Sequence, residues 1–327
     1  MAKSEVDMRP YRILTLDGGG VRGVLSAVLL KRLEAIVPGF LQKVDLFAGT
    51  STGGILALAL AAGFSADECK ELYVEHGARI FSNPVPDWLD GGSLFGAKYD
   101  NRNLAETLNR YFGDKQLGQL LPRNVLISSF DLDNSEDETH RPEQFRSWKA
   151  KFFHNFPGEE SGSDMNERVV DVALRTSAAP TYFPVYDGYI DGGVVANNPS
   201  VCALAQALDS AQLMNERGES SRVTLEKVVL LSVGTGRNQQ FVRRSEGSSI
   251  GLTGWAQHLV SILVDGTADV AHYECKQLLK ERYCRLNPTL RENINLDDHN
   301  KIDRLIEYAV DADISQAVGW LKTNFAD

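Results

Sequence analysis

Two stretches decide the fold class: Tyr11-Arg-Ile-Leu-Thr-Leu-Asp-Gly-Gly-Gly-Val-Arg-Gly23 and Val44-Asp-Leu-Phe-Ala-Gly-Thr-Ser-Thr-Gly-Gly54. Residues 11–16 are a short apolar run, the length of a buried strand, and they stop at a triple glycine. From residue 24 to 37 the apolar positions Val24, Leu25, Val28, Leu29, Leu33 and Ile36 recur at helical spacing, and Pro38-Gly39 ends the helix. A second apolar run, 44–48, leads into Gly49-Thr-Ser-Thr-Gly-Gly54 and an Ala/Leu-rich helix to Ala62. Strand, glycine loop, helix, strand, sharp turn and helix form a βαβα start, which predicts a parallel sheet covered by helices, an α/β fold.

Working outward, Asn124-Val-Leu-Ile-Ser-Ser129 and Lys227-Val-Val-Leu-Leu-Ser-Val233 read as further buried strands. Residues 131–162 are charged and interrupted by Pro142 and Pro157, and are expected to be irregular surface loops. Asp187-Gly188 carries the signature of a tight hairpin turn. Asn198-Pro199 is a helix start, Asn as cap and Pro in the first turn, for a helix to about Leu213. Residues 237–253 read as a polar loop. The region 255–327 is expected to be helical apart from a strand at Tyr283-Cys-Arg-Leu286. With neither internal repeat nor linker, residues 1–327 read as one domain.

The 327 residues are 43% hydrophobic, which excludes a disordered or low-complexity chain. Lys plus Arg total 34 against 44 Asp plus Glu, a net charge of −10. That balance repels phosphate backbones, so no nucleic-acid partner is expected, nor docking on anionic membranes by bulk charge. Cys69, Cys202, Cys275 and Cys284 lack metal-ligand spacing, and scattered thiols suit a reducing compartment. The N-terminus is charged where a signal peptide is apolar, and the longest wholly apolar run, 55–62, is too short to span a bilayer. A soluble cytoplasmic protein without a transmembrane segment is expected.

The glycine motifs carry the chemistry. Gly18-Gly-Gly-Val-Arg-Gly23 matches G-x-G-x-x-G, but a dinucleotide site also needs an acid at the end of the second strand. Here that strand ends in Gly49-Thr-Ser51, so no nucleotide cofactor is expected. Gly49-Thr-Ser51-Thr-Gly53 matches G-x-S-x-G between a strand and a helix, the context in which a serine is raised on a strained turn as a nucleophile. A plain alternative is a small-residue turn in which Ser51 only caps the helix. The bare N–H groups of Gly18, Gly19 and Gly20 can face an oxyanion beside Ser51, aided by the N-terminus of the helix after it. Arg22 has two uses open to it: binding a lipid phosphate or bracing the loop.

None of His76, His140, His154, His258, His272 and His299 follows an expected strand end, which disfavours a Ser-His-Asp triad. Asp191 is the better base. It ends the short strand at Tyr189-Ile190 and opens Asp191-Gly-Gly193, where a carboxylate can take a serine proton directly. Its plain alternative is an ordinary Asp-Gly turn.

The chain resembles the patatin-like phospholipase family. The matching blocks are Asp17-Gly-Gly-Gly-Val-Arg-Gly23, Gly49-Thr-Ser-Thr-Gly-Gly54, Ser177-Ala-Ala-Pro180 with Phe183-Pro184, Asp191-Gly-Gly193, Asn197-Asn-Pro199 and Ser232-Val-Gly-Thr-Gly236, in family order within residues 12–236. The resemblance implies a three-layer α/β/α fold and a Ser51–Asp191 dyad supported by Gly49, Gly53, Gly192 and Gly193. It implies an oxyanion hole at Gly18, Gly19 and Gly20, with Arg22 as a further candidate, and hydrolysis of acyl esters of glycerolipids or phospholipids at a membrane surface, without cofactor or metal. The aromatic and proline-rich residues 81–99 are expected to form a lid or interfacial patch, ordinary core packing being the alternative. Rival functions are a storage or binding protein on the same fold and a regulated membrane-degrading effector of bacterial defence.

Overall fold

Residues 11–16 form strand β1, Tyr11–Leu16, buried along its whole length. The protein is described here from a computed structural model over residues 9–81, 97–133, 146–157, 164–214, 220–242 and 252–325. Helix α1 is Gly23–Ile36, strand β2 Leu46–Thr50, and helix α2 Thr52–Ala61. Helices α3 (Ala66–Ile80) and α4 (Arg102–Phe112) lead to strand β3, Asn124–Asp131. Strand β4 (Lys149–His154), helix α5 (Val169–Thr176), strand β5 (Tyr189–Asp191), the turn α6 (Gly193–Ala196) and helix α7 (Ser200–Ser210) follow. The hairpin β6 (Gln212–Met214) and β7 (Ser220–Arg222) precedes strand β8 (Val228–Val233), the long helix α8 (Leu252–Leu279) and strand β9 (Tyr283–Leu286). Helices α9 (Ile302–Asp311) and α10 (Ser315–Asn324) end the described chain.

Seven strands make one sheet in the order β4-β3-β2-β1-β8-β9, with β5 also on β3. The pairs β3–β2, β2–β1, β1–β8 and β8–β9 are parallel, while β4 and β5 run antiparallel to β3. Alternate side chains of a strand face opposite sides, so the apolar residues divide into two layers. Leu14, Leu16, Leu231 and Val233 join the helices α1 to α5, α9 and α10, whereas Ile13, Leu230 and Leu46 join α7 and α8. The result is a mostly parallel sheet flanked by helices on both faces, the α/β architecture that the first 62 residues predict.

The edge of β3 positions the site. β4 pairs with residues 126–131 of β3 along one edge, and β2 occupies residues 124–128 along the other. β5 then takes that second edge over residues 129–131. β2 and β5 run in opposite directions, so their C-terminal ends meet, Thr50 opposite Ser128 and Asp191 opposite Ser129.

Three expectations change. Residues 131–162 are not all irregular: Lys149–His154 is a strand whose half-exposed, charged residues suit a sheet edge. The helix after Pro199 stops at Ser210 and the chain enters a hairpin rather than running to Leu213, and Pro199 rather than Asn198 holds the cap position, the Asn198 Oδ1 accepting the Ser200 N–H at 3.2 Å just ahead of the helix. His154 does end a strand, but it pairs with Leu126, two strands from β2 and towards the other end of β3 from Ser51. The 187–188 turn is as read, Asp187 and Gly188 both having positive φ between Tyr186 and Tyr189. Residues 134–145, 158–163 and 243–251, and 82–96 of the expected lid, lie outside the described residues.

Asp17, just past β1, forms a buried bidentate ion pair with Arg285 of β9, one arm measuring 2.7 Å. Arg285 also donates to Ser232 Oγ of β8 at 2.8 Å, tying three strand ends together. Removing one partner leaves the other charge buried and unpaired. Arg285→Met should therefore lower the unfolding free energy by about 3–5 kcal/mol in a denaturant titration, and adding Asp17→Asn should recover part of it.

Candidate active site

Ser51 follows the last residue of β2 with φ 54° and ψ −124°, a left-handed conformation costing a non-glycine residue about 1–3 kcal/mol. Its surroundings hold it there. The Ser51 N–H donates to Thr176 Oγ1 at 2.8 Å, and Thr176 Oγ1 donates to the Ser128 carbonyl at 2.6 Å. The Ser51 carbonyl accepts the Ile55 N–H at 3.0 Å, starting α2. A Cβ on Gly49 would overlap the Gly53 carbonyl, and one on Gly53 would overlap the Leu16 carbonyl, so both motif glycines are sterically required. The Ser51 side chain makes no cap to α2, which removes the plain helix-cap reading.

The Asp191 carboxylate lines the cavity beside Ser51, close enough that the serine hydroxyl favours its charged form. Asp191 Oδ1 also accepts the Gly193 N–H at 2.7 Å, the turn expected of Asp191-Gly-Gly193, so the residue both turns the chain and meets Ser51. Gly192 allows the close fit, since a Cβ there would strike the Ser128 carbonyl. Burial pushes the Asp191 carboxyl up to about 6, and the nearby Ser51 hydroxyl and the Gly193 N–H oppose that shift without cancelling it.

Of the glycine loop, Gly19 and Gly20 line the cavity in front of Ser51, and no acceptor among the described residues takes their N–H groups. Gly18 departs from expectation. Its N–H donates to the Asn197 carbonyl at 3.0 Å and its carbonyl accepts Thr235 Oγ1 at 2.9 Å, so its backbone is committed to holding the loop. Gly20 has φ 57° and lies against the Leu296 carbonyl, which admits no side chain. Arg22 also departs from the oxyanion assignment. It is buried outside the cavity, with Nε donating to the Gly19 carbonyl at 3.4 Å, which is the bracing use. Burial pulls its pKa down, and Asp265 and Asp17 oppose the shift.

The cavity, about 80 Å3, has apolar walls beyond the two reactive side chains, formed mainly by Leu72, Ile80, Phe81, Leu104, Tyr182 and Phe183. Phe81 and Tyr99, the described ends of the segment expected as a lid, stack edge-on at 5.6 Å, and Phe81 lies 5.7 Å from Phe183. No histidine among the described residues lines this cavity. Ser177 lines it, and its buried hydroxyl has no partner among the described residues.

Sequence reasoning singled out neither Thr176 nor Arg285, and gave no role to Asn197 or Thr235. Asn197 and Thr235 sit inside blocks that carry the family resemblance, and Thr176 immediately precedes one. Arg285, 268 residues from its partner, had no signal.

The chain matches the model of the patatin-like phospholipase family over residues 14–201. It is 35% identical to the CotR protein of Bacillus subtilis (strain 168) over 238 residues, spanning 72% of this chain and 66% of that protein. It is 31% identical to the cGAMP-activated phospholipase of Pseudomonas aeruginosa (strain BWHPSA011 / Pa011) over 283 residues, spanning 85% of this chain and 78% of the relative. Among solved structures, VipD from Legionella pneumophila aligns with a TM-score of 0.43 at 12% identity, covering 99% of this chain and 72% of VipD.

The raised Asp191 pKa carries a stability consequence. Between the unfolded value near 3.8 and about 6 the folded state binds the proton more tightly, so stability falls as pH rises through that window and stays lower above it. At 1.36 kcal/mol per pH unit the cost approaches about 3 kcal/mol. Asp191→Asn should thus melt above the wild type at pH 8, with the gap closing near pH 4, in a thermal-shift series.

Proposed function

The chain belongs to the patatin-like phospholipase family, and from that premise and the site geometry we propose that it is a lipid acyl hydrolase working through a Ser51–Asp191 dyad on glycerolipid or phospholipid esters. The observation that carries the reading is Ser51, on a strained turn, sharing an apolar cavity with the buried Asp191 carboxylate whose charge it favours. In the proposed reaction Asp191 accepts the Ser51 proton as Oγ attacks the ester carbonyl. The Gly19 and Gly20 N–H groups, unpaired among the described residues and near the N-terminus of α2, stabilise the tetrahedral oxyanion. Collapse expels the alcohol, which takes the proton from Asp191, and leaves an acyl-Ser51 ester. Water then attacks that ester, Asp191 accepting its proton and returning it to Ser51 as the fatty acid leaves. Neither half-reaction calls for a metal. The enzyme would act from the cytoplasm with transient membrane contact.

The cGAMP-activated phospholipase supports a second reading, in which the same hydrolase is a regulated effector switched on by a nucleotide. Assays with and without cGAMP separate the two: a rate that needs the nucleotide favours the effector, and a constant rate favours the unregulated enzyme.

A fluorophosphonate probe should label the wild type and not Ser51→Ala; an unlabelled wild type would point to a storage or binding protein. Ser51→Ala and Asp191→Asn should each lower kcat/KM on a short-chain p-nitrophenyl ester by about 10³-fold or more, with activity retained in EDTA. Because Asp191 must be ionised to accept a proton, kcat/KM should rise with pH through about 6 and level off above it.

A further inference from the structure

Helix α8 borders the Ser51 cavity. Val264 lines the cavity and its Cγ2 lies 3.7 Å from where a Cβ on Gly193 would stand. Thr267 Oγ1 accepts the Asn197 N–H, and the Ala268 carbonyl accepts the Asn198 side-chain amide, both at 3.4 Å. One face of α8 is thus seated on the segment that follows Asp191, with Ala268, Ala271 and Cys275 buried beneath it.

The opposite face carries Trp255, Ile262, Leu263, Val270 and Tyr273, all exposed, Val270 at 57% and Tyr273 at 65%. At 100° per residue these five fall within an arc of about 100° along roughly 27 Å of helix, where a helix on the surface of a globular protein normally places charge. In a chain that is 24% charged, residues 252–264 contain no Asp, Glu, Lys or Arg. The acids that follow stand beside the stripe: Asp269 is paired with Arg237 at 3.0 Å, Asp265 lies within the field of Arg22, and Glu274 is exposed along the other edge. No helix among the described residues is long and apolar enough to cross a membrane, so this face suits lying on a bilayer.

We infer that the exposed face of α8 is the docking surface for a lipid bilayer, an inference that rests on the hydrolase reading. Two observations select a membrane over a second protein. The face belongs to the helix whose inner side walls the cavity, so a bilayer against it lies about one helix diameter from the wall of the Ser51 cavity. It is also uncharged on a protein of net charge −10, so attachment comes from apolar burial and needs no anionic lipid.

The test is co-sedimentation with phosphatidylcholine vesicles at 0.1 and 0.5 M salt, in a Ser51→Ala background so that binding is read without turnover. The protein should partition onto the vesicles equally at both salts, and Ile262→Ser with Leu263→Ser should lower the partition coefficient by about tenfold or more. In the active enzyme the same double variant should lose a similar factor on vesicles while hydrolysing p-nitrophenyl butyrate within about twofold of wild type. Unchanged partition of the double variant, or no partition of the parent, overturns the inference. So does a dimer that the double variant dissociates while vesicle binding stays intact, which would assign the face to a second copy. Vesicle binding that the double variant abolishes, in a protein without any esterase activity, supports the docking surface and overturns the hydrolase reading.

Discussion

The site depends on one edge of one strand. β3 offers a single row of backbone hydrogen-bonding groups to β2 and β5 together, and the two share it without overlap, β2 to Ser128 and β5 from Ser129. Because the strands run in opposite directions, both chains must leave the sheet at the same point. Ser51 and Asp191, 140 positions apart in sequence, stand at that point, Ser51 just past the end of β2 and Asp191 as the last residue of β5. The crowding this creates explains the glycines: Gly49, Gly53 and Gly192 each lie where a Cβ would meet a carbonyl oxygen. Backbone hydrogen bonds on either side of Ser51 offset the strain of its φ.

A second layer keeps the glycine loop in place. Asp17 and Arg285 close the strand ends, and beneath them Thr15 Oγ1 and Ser200 Oγ are hydrogen-bonded at 2.7 Å, with Asn198 and Ser232 completing a buried polar group. Gly18 is held through both its N–H and its carbonyl, and Arg22 braces Gly19. Donors aimed at a developing charge act best when nothing must reorganise during reaction. Holding Gly18 on one side and Val21 on the other, whose N–H donates to the Leu296 carbonyl at 2.7 Å, fixes the two N–H groups between them.

α8 joins this interior to the outside. Its inner side contacts the turn after Asp191, and its outer side is apolar with nothing over it among the described residues. The net charge and the exposed stripe are compatible because they occupy different places: the acids of α8 stand beside the stripe, Asp265 near Arg22 and Asp269 on Arg237.

What the sequence determined by itself is local. Residues 11–62 read correctly as strand, loop, helix, strand, turn and helix because hydrophobic periodicity and glycine placement act over a few residues, and the Asp187-Gly188 turn is legible for the same reason. G-x-S-x-G and Asp191-Gly-Gly193 singled out Ser51 and Asp191 separately, each with a plain alternative that local pattern could not remove. The tertiary structure decided what lies between distant segments. It brought the hydroxyl to the carboxylate, engaged the Gly18 N–H with Asn197, turned Arg22 inward, and made 149–154 an edge strand from residues too polar to read as one. It also matched Asp17 with Arg285. None of these is encoded in a window of neighbouring residues, since each depends on which groups the sheet register leaves unpaired and which element arrives to take them.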